Sequence, residues 1–179
     1  MSLHPTGRNT ADVSFFTRQG ILKREGRHRA PCFLKGVRLS RHLLIVEDNA
    51  HDVELACAAL ELSNVQCKVS VARDGAEALD FLSRRGAYAG RPAGQPDLIL
   101  LDLNMPRVNG HQVLCAIKGD AALREVPVVI FTTSNLSQDR EACLACGADD
   151  YLLKPEGFAE FVTTINQLGR RWLTADRCA

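Results

Sequence analysis

Short apolar runs alternate with helical patterns from residue 43 almost to the C-terminus. The apolar runs predict five β-strands, at residues 43–47, 66–71, 98–102, 127–132 and 150–153. Between them apolar residues recur with helical spacing, as in the set Val53, Ala56, Cys57 and Leu60. Asp74 and Glu77 have the spacing of a capping box, which predicts the start of a helix. The alternation therefore predicts a series of β–α units.

Five such units with aliphatic strands predict an α/β fold. We expect a doubly wound, five-stranded parallel sheet, with right-handed crossovers and helices on both faces. The expected strand order is 2-1-3-4-5, which makes the first and third strands neighbours at the point where the chain reverses direction across the sheet. Ligands bind such sheets at the carboxyl ends of the strands, so we look for function at this edge.

Acidic residues lie at the ends of the first and the third predicted strands. Glu47 and Asp48 follow the aliphatic run of the first strand, and Asp102 follows that of the third. Three carboxylates brought to one edge repel each other, and a hard cation would relieve this repulsion. Mg²⁺ prefers oxygen ligands and is commonly bound through few carboxylates. The pattern therefore predicts a divalent cation site.

The same edge offers groups for phosphoryl chemistry. Asp102 could act both as a metal ligand and as a nucleophile that becomes an acyl phosphate. Lys154 follows the fifth strand and offers a positive charge for a phosphoryl oxygen. Thr132 ends the fourth strand and offers a hydroxyl group, and the backbone carbonyl of Asn104 could bind the metal.

These motifs resemble a known family. Glu47-Asp48, "DLILLDLNMPRVNG" around Asp102, "VPVVIFTTS" around Thr132 and "GADDYLLKP" ending in Lys154-Pro155 are similar to the motifs of response-regulator receiver domains, which have a flavodoxin-like fold. The resemblance covers residues 43–173. Within the family, "LLIVEDNAHDVEL", the long Arg/Gly loop before "PDLILLDL" and "FTTS" resemble the small stand-alone regulators paired with bacterial phytochrome-type histidine kinases.

The resemblance implies a site and a reaction. Asp102 would receive a phosphoryl group from a phosphohistidine of the kinase. Mg²⁺ would be bound by Glu47 or Asp48, by Asp102 and by the carbonyl of Asn104. Lys154 would pair with the phosphoryl group. The protein would then be a phosphoacceptor with self-catalysed phosphotransfer and slow autodephosphorylation, not an enzyme.

The resemblance also implies a switch. Thr132 would move toward the phosphoryl group and Tyr151 would turn inward, which changes a surface formed by the fourth helix, the fifth strand and the fifth helix. A partner or a second copy of the chain would bind there. Because the chain ends at Ala179, we expect output by protein contact and no separate output domain. The resemblance further implies a cis Lys154–Pro155 peptide bond.

Two residues depart from the family pattern, and neither removes a required group. Glu47 stands where aspartate is commoner, and its extra methylene group is expected to alter the contact with the metal. Thr133 is bulkier than the small residue often found after the switch threonine, and this is expected to narrow access to the phosphoryl group.

Three other functions were weighed. A haloacid-dehalogenase-type phosphatase also forms an aspartyl phosphate, but it needs an acid two residues after the nucleophile, where this chain has Asn104. A degenerate receiver that acts only as a binding module is disfavoured because all the phosphoacceptor groups are present. DNA binding through residues 1–42 is the third alternative.

Charge divides the chain into two parts. Residues 1–42 hold nine Lys/Arg and two Asp/Glu, a net charge of +7, whereas residues 43–179 carry a net charge of −6. We interpret residues 1–42 as a basic, flexible extension, residues 43–173 as the receiver domain and residues 174–179 as a short tail. No interleaving of aromatic and basic residues accompanies the charge, so nucleic acid is not an expected partner.

Cysteine usage and hydropathy predict a cytoplasmic location. The seven cysteines are an odd number and lie singly along the chain, which argues against a disulfide framework. We interpret the Cys143–Cys146 CxxC string as small core residues of a helix rather than as a redox or zinc site. The five histidines show no ligand spacing. Neither a transmembrane segment nor a signal peptide is predicted, so no membrane partner is expected.

Overall fold

A five-stranded parallel sheet forms the centre of the molecule. The computed structural model describes residues 41–63 and 65–174. The strands are β1 (Arg41–Val46), β2 (Cys67–Ala72), β3 (Leu98–Leu101), β4 (Val128–Thr132) and β5 (Asp150–Leu153). Neighbouring strands pair in parallel in the order β2-β1-β3-β4-β5. The predicted sheet and its strand order are therefore confirmed.

Four helices connect the strands and a fifth follows β5, and together they cover both faces of the sheet. They are α1 (Ala50–Leu62), α2 (Gly75–Ser83), α3 (Gly110–Gly119), α4 (Ser137–Ala145) and α5 (Phe158–Leu173), with a 3-10 turn at Gly86–Tyr88. Among the described residues, no helix has the length and apolar character needed to cross a membrane.

The strands are buried on both faces, which explains their continuous aliphatic character. On one face, Leu44, Val46, Ile99 and Leu101 pack in a core with residues of α2 and α3. The alternate strand residues pack on the other face with α1 and α5; they include Leu43, Ile45, Leu98 and Leu100. Helix packing on both faces leaves the carboxyl ends of β1 and β3 as a polar edge.

Side-chain caps fix where α2 and α3 begin. The Asp74 carboxylate accepts a hydrogen bond from the backbone N–H of Glu77 (2.9 Å), as predicted. The Glu77 carboxylate accepts from the N–H of Arg73 (2.6 Å), one residue before the position that a capping box uses. A complete capping box joins Asn109 and Gln112 at the start of α3, which the sequence analysis did not identify.

The N-terminal strand begins earlier than predicted. Arg41 and His42, which we assigned to the extension, belong to β1, and both donate hydrogen bonds to the Asp97 carboxylate (3.1 and 2.8 Å). Residues 1–40 and 175–179 lie outside the described residues, so the interpretation of the extension and of the tail stays a prediction.

Two further expectations are wrong. The described residues contain no cis peptide bond, so Lys154–Pro155 is trans; the trans form is the lower in free energy for most X–Pro bonds, by about 0.5–1 kcal/mol. The cysteine pattern argued against a disulfide framework, and Cys146 was interpreted as a core residue, yet Cys146 is bonded to Cys115. Cys143 is buried in the core as predicted, so the two cysteines of the CxxC string have different environments. The bond joins α3 to the end of α4, a proximity that only helix packing creates.

Candidate functional site

The strand register explains how distant acidic residues meet. Val46 of β1 pairs with Leu101 of β3, so the next residues on the two strands are Glu47 and Asp102. The backbone N–H of Asp102 donates to the carbonyl of Val46 (3.0 Å), and that of Glu47 donates to the carbonyl of Ala72 on β2 (3.0 Å). Both side chains therefore leave the sheet at the same edge.

Three carboxylates converge at this edge. Oxygen atoms of Glu47, Asp48 and Asp102 all lie within 4.8 Å of one another. Glu47 and Asp102 are buried, with 4% and 6% of their surfaces exposed, whereas Asp48 is open to solvent. A set of hard oxygen donors with one open side fits Mg²⁺, which keeps several water ligands. The three predicted carboxylate ligands are thus brought together, and Asn104 lies on the exposed loop after β3.

Lys154 lies across the carboxylate cluster. Its Nζ is 2.6 Å from Oε2 of Glu47, 2.8 Å from Oδ2 of Asp52 and 3.5 Å from Oδ2 of Asp102. The Lys154 backbone N–H donates to the carbonyl of Thr132 (2.8 Å), which anchors the residue at the end of β5. The lysine therefore neutralises part of the negative charge of this cluster.

Burial and neighbouring charges shift the pKa values of Glu47 and Lys154 in opposite directions. Burial raises the pKa of Glu47, and the hydrogen bond from Lys154 counters this only in part. Burial alone would lower the pKa of Lys154, but the hydrogen bonds to Asp52 and Glu47 outweigh it, so the pKa of the lysine is raised. The cluster therefore holds Lys154 in its charged form.

Asp52, which was not among the predicted site residues, completes the environment of Lys154. Asp52 lies in the first turn of α1, whose N-cap Asn49 accepts a hydrogen bond from the N–H of His51 (3.0 Å). A helix that starts directly after β1 places its first turn over the end of that strand. An acid in that turn was a usable signal, because acidic residues are favoured there and face the same edge.

The backbone around Asp102 is held tightly. The Asp102 carboxylate accepts a hydrogen bond from the N–H of Leu103 (2.8 Å), and the N–H of Gly110 donates to the carbonyl of Leu103 (3.0 Å). A Cβ atom on Gly110 would lie 2.8 Å from Cα of Leu103 and 2.9 Å from the carbonyl carbon of Asp102. The fold therefore needs the lack of a side chain at Gly110.

Gly110→Ala is expected to destabilise the protein by about 1–3 kcal/mol, because overpacking against backbone forces the chain to move. Urea unfolding followed by circular dichroism measures this change. Gly119→Ala is the matched control, since Gly119 ends the same helix and a Cβ there meets nothing within 4 Å. We expect the control to be neutral or stabilising; equal stabilities of the two variants would contradict this account of Gly110.

The predicted switch residues meet at Ser134. Thr132 is fully buried at the end of β4, and its hydroxyl oxygen accepts a hydrogen bond from the N–H of Ser134 (3.3 Å). Tyr151 is buried, with its hydroxyl donating to the carbonyl of Ser134 (3.0 Å). Burial raises the pKa of Tyr151. Ser134 also donates to the Asp139 carboxylate of α4 (2.5 Å), so one loop residue links both side chains to α4.

Comparison with known proteins places the chain among receiver domains. The model of the response regulator receiver domain family matches residues 43–166. Response regulator Rcp1 of Synechocystis sp. is 34% identical over 131 residues, which span 73% of this chain and 88% of Rcp1.

Solved structures are similar over the same region. The crystal structure of Mn²⁺-bound Rcp1 has a TM-score of 0.71 and 32% identity, and covers 78% of this chain and 99% of that one. The phosphorylated cyanobacterial phytochrome response regulator RcpA has a TM-score of 0.70 and 35% identity, with coverages of 74% and 94%. The bacteriophytochrome response regulator AtBRR is 42% identical, with a TM-score of 0.63 and coverages of 77% and 99%.

Proposed function

This chain belongs to the response regulator receiver family of two-component systems, and from that premise we propose that Asp102 accepts a phosphoryl group from a sensor histidine kinase. The observation that supports this proposal most directly is the contact set of Lys154. A charged lysine and two buried carboxylates, Glu47 and Asp102, share one pocket at the carboxyl edge of the sheet. The phosphorylated state of the similar regulator RcpA agrees with the proposal.

The proposed reaction needs positioning and charge neutralisation more than covalent assistance. An oxygen of Asp102 attacks phosphorus, a P–O bond forms, and the P–N bond to the kinase imidazole breaks, so that the histidine leaves and regains its proton from solvent. Lys154 contributes a positive charge beside the new phosphoryl group, and the hydroxyl of Thr132 donates a hydrogen bond to one of its oxygens.

The acidic cluster is the proposed Mg²⁺ site. Glu47, Asp48 and Asp102 would hold the ion, together with the backbone carbonyl of Asn104. When bound, Mg²⁺ supplies positive charge for the transferring phosphoryl oxygens. The convergence of the three carboxylates supports this assignment, as does the Mn²⁺ ion in the similar structure of Rcp1.

We expect acetyl phosphate to phosphorylate the protein with Mg²⁺ and not with EDTA. Asp48→Asn is expected to weaken Mg²⁺ binding by at least about 10-fold, because loss of a residue that only supports a metal ligand already costs about 10- to 100-fold. Intact mass reports the phosphoryl adduct, and calorimetric titration reports Mg²⁺ affinity. Glu54→Gln, an exposed acid of α1, is the matched control and should behave like the wild type. The absence of a phosphoryl adduct on the wild-type protein in repeated trials would contradict the proposed function.

The proposed output runs through Ser134. Movement of Thr132 toward the phosphoryl group would pull on the N–H of Ser134, while Tyr151 holds its carbonyl and Asp139 holds its hydroxyl. Because Asp139 lies in α4, a change at Ser134 reaches that helix directly. The switch is thus a local rearrangement that biases a surface formed by α4, β5 and α5.

That surface carries apolar side chains open to solvent. The large hydrophobic residues exposed there are Leu136, Leu144, Leu153 and Phe158. Exposed apolar residues on these elements favour protein contact, so we propose that a second copy of the chain binds at this face. Sizing chromatography with and without beryllofluoride tests this proposal. The same elution volume in both conditions would contradict a dimer that forms on activation.

The kinase partner is proposed by similarity. AtBRR and RcpA are named as regulators of phytochrome systems, and we propose a phytochrome-type histidine kinase as the phosphoryl donor, in the cytoplasm. Transfer of labelled phosphate from an autophosphorylated kinase of this class to the protein is the measurement. Transfer that persists in an Asp102→Asn variant would contradict the proposed acceptor.

A further inference from the structure

Two cysteines from different helices meet on the outside of α3 and α4. Cys115 lies on α3, Cys146 caps the C-terminal end of α4, and the two are joined in a disulfide with their Cα atoms 5.9 Å apart. This Cα separation is ordinary for a disulfide. The two side chains are therefore close enough to be joined.

The other cysteines of the described region are poor candidates for thiol chemistry. Cys57, Cys67 and Cys143 are buried. Burial raises the pKa of Cys57 and of Cys67 to about 11, which leaves little reactive thiolate at neutral pH. Cys115 and Cys146 are only half-buried, so oxidants and reductants reach them more readily.

A histidine accompanies the pair. His111 lies one helical turn before Cys115, and both of its ring nitrogens are 3.9 Å from the Cys115 sulfur. The ligand atoms of His111, Cys115 and Cys146 all lie within 4.8 Å of one another. A protonated imidazole beside a thiol favours the thiolate, which is the nucleophile in disulfide chemistry. His111 is exposed to solvent, and its ring lies beside the Cys115 sulfur.

We propose that Cys115 and Cys146 form a reversible redox site, activated by His111, that fastens α3 to α4. A peroxide is the oxidant: the Cys115 thiolate attacks one peroxide oxygen, the O–O bond breaks, and a sulfenic acid forms as water or an alcohol leaves. The Cys146 thiolate then attacks the Cys115 sulfur, and water leaves. Overall two thiols lose two electrons and two protons to the peroxide. A dithiol reductant reverses the reaction by exchange.

The location of the bond suggests what it controls. Beside it, Nζ of Lys118 on α3 is 2.9 Å from the Asp149 carboxylate, and the Lys118 stem approaches Gly147. The disulfide adds a covalent tie to this polar contact, at the end of α4 opposite to Asp139. In a reducing compartment such a bond is transient and suited to sensing. We infer that oxidation restrains α4 and weakens its response to phosphorylation, and this inference rests on the proposed function.

The chemical part of the proposal is tested on the whole chain without any phosphoryl donor. After treatment with hydrogen peroxide, we expect a mass lower by two hydrogen atoms and a cross-linked peptide that joins Cys115 to Cys146. Cys115→Ser should abolish the cross-link, while Cys143→Ser, a change at the buried core cysteine, should leave it. His111→Gln should slow oxidation several-fold at pH 7.

Two results would overturn the redox site. One is the absence of the Cys115–Cys146 peptide from oxidised, folded protein, with folding checked by circular dichroism. The other is stoichiometric Zn²⁺ retained by the reduced protein with both thiols shielded from alkylation, which would make the same three side chains a metal site.

The conformational part has a separate readout. Adding beryllofluoride and Mg²⁺ should change the hydrogen exchange of α4 amides less in the oxidised protein than in the reduced one. In the Cys115→Ser variant, the change in exchange should be the same under oxidising and reducing conditions. Equal changes in the oxidised and reduced wild-type protein would contradict the inference that the disulfide restrains α4. If beryllofluoride has no effect even on the reduced protein, the proposed phosphoacceptor function fails, while the mass measurement still decides the redox site.

Discussion

Replacing Asp102 with asparagine is expected to abolish the phosphoryl adduct. The asparagine amide keeps the shape of the side chain, but it lacks the anionic oxygen that attacks phosphorus. It also removes one of the three carboxylates proposed to bind Mg²⁺. Intact mass after incubation with acetyl phosphate and Mg²⁺ measures the adduct, and peptide mapping after borohydride trapping of the acyl phosphate locates it.

Asp80→Asn is the matched control for this experiment. Asp80 is an exposed aspartate of α2, outside the acidic cluster, so its variant should be phosphorylated like the wild type. Because Asp102 is buried beside Glu47, its neutralisation removes a like-charge repulsion, and the Asp102→Asn variant should remain folded. A phosphoryl adduct of normal yield on Asp102→Asn would show that another residue is the acceptor.

Replacing Lys154 with methionine is expected to destabilise the metal-free protein by about 3 kcal/mol, because removing one partner of a buried ion pair leaves uncompensated charge. Lys154 is 6% exposed and contacts Glu47, Asp52 and Asp102, so three carboxylates would lose their cation. Mg²⁺ can take over part of that role. We therefore expect Mg²⁺ to stabilise the variant more than it stabilises the wild type, as measured by urea unfolding in EDTA and in Mg²⁺.

Lys118→Met provides the comparison for the lysine experiment. Lys118 is also largely buried and pairs with Asp149, but it lies on α3 away from the acidic cluster. Its loss should reduce stability by a similar amount in EDTA and in Mg²⁺. If Mg²⁺ stabilises Lys154→Met and the wild type equally, Lys154 does not compete with a cation for these carboxylates, and its proposed place in the site is wrong.

Much of the site could be predicted because strand ends are marked in the sequence. An aliphatic run followed by a charged residue identifies where a buried strand leaves the core, as at Val46–Glu47 and Leu101–Asp102. The parallel order then makes the ends of β1 and β3 neighbours. The switch roles of Thr132 and Tyr151 depended on resemblance, since a threonine or a tyrosine at a strand end has many uses.

The residues that were missed act through packing contacts. Asp52 reaches Lys154 across about a hundred residues of sequence (a separation of 102). Ser134 is a loop residue of ordinary polarity, and its importance comes from two backbone groups that Thr132 and Tyr151 bind. Gly110 is needed because α3 begins against the backbone of the loop after β3.

The number, type and order of the strands, the sheet topology and the edge at which charged groups gather could all be predicted from the sequence. This was possible because hydrophobic periodicity and the positions of polar breaks are properties of neighbouring residues. The contact of Lys154 with Asp52, the hydrogen bond of Tyr151 to Ser134 and the bond between Cys115 and Cys146 beside His111 become visible once the chain is folded. Such contacts depend on helix placement to within about an ångström, since side-chain bonds form only over short distances, and no local pattern of residues encodes that placement.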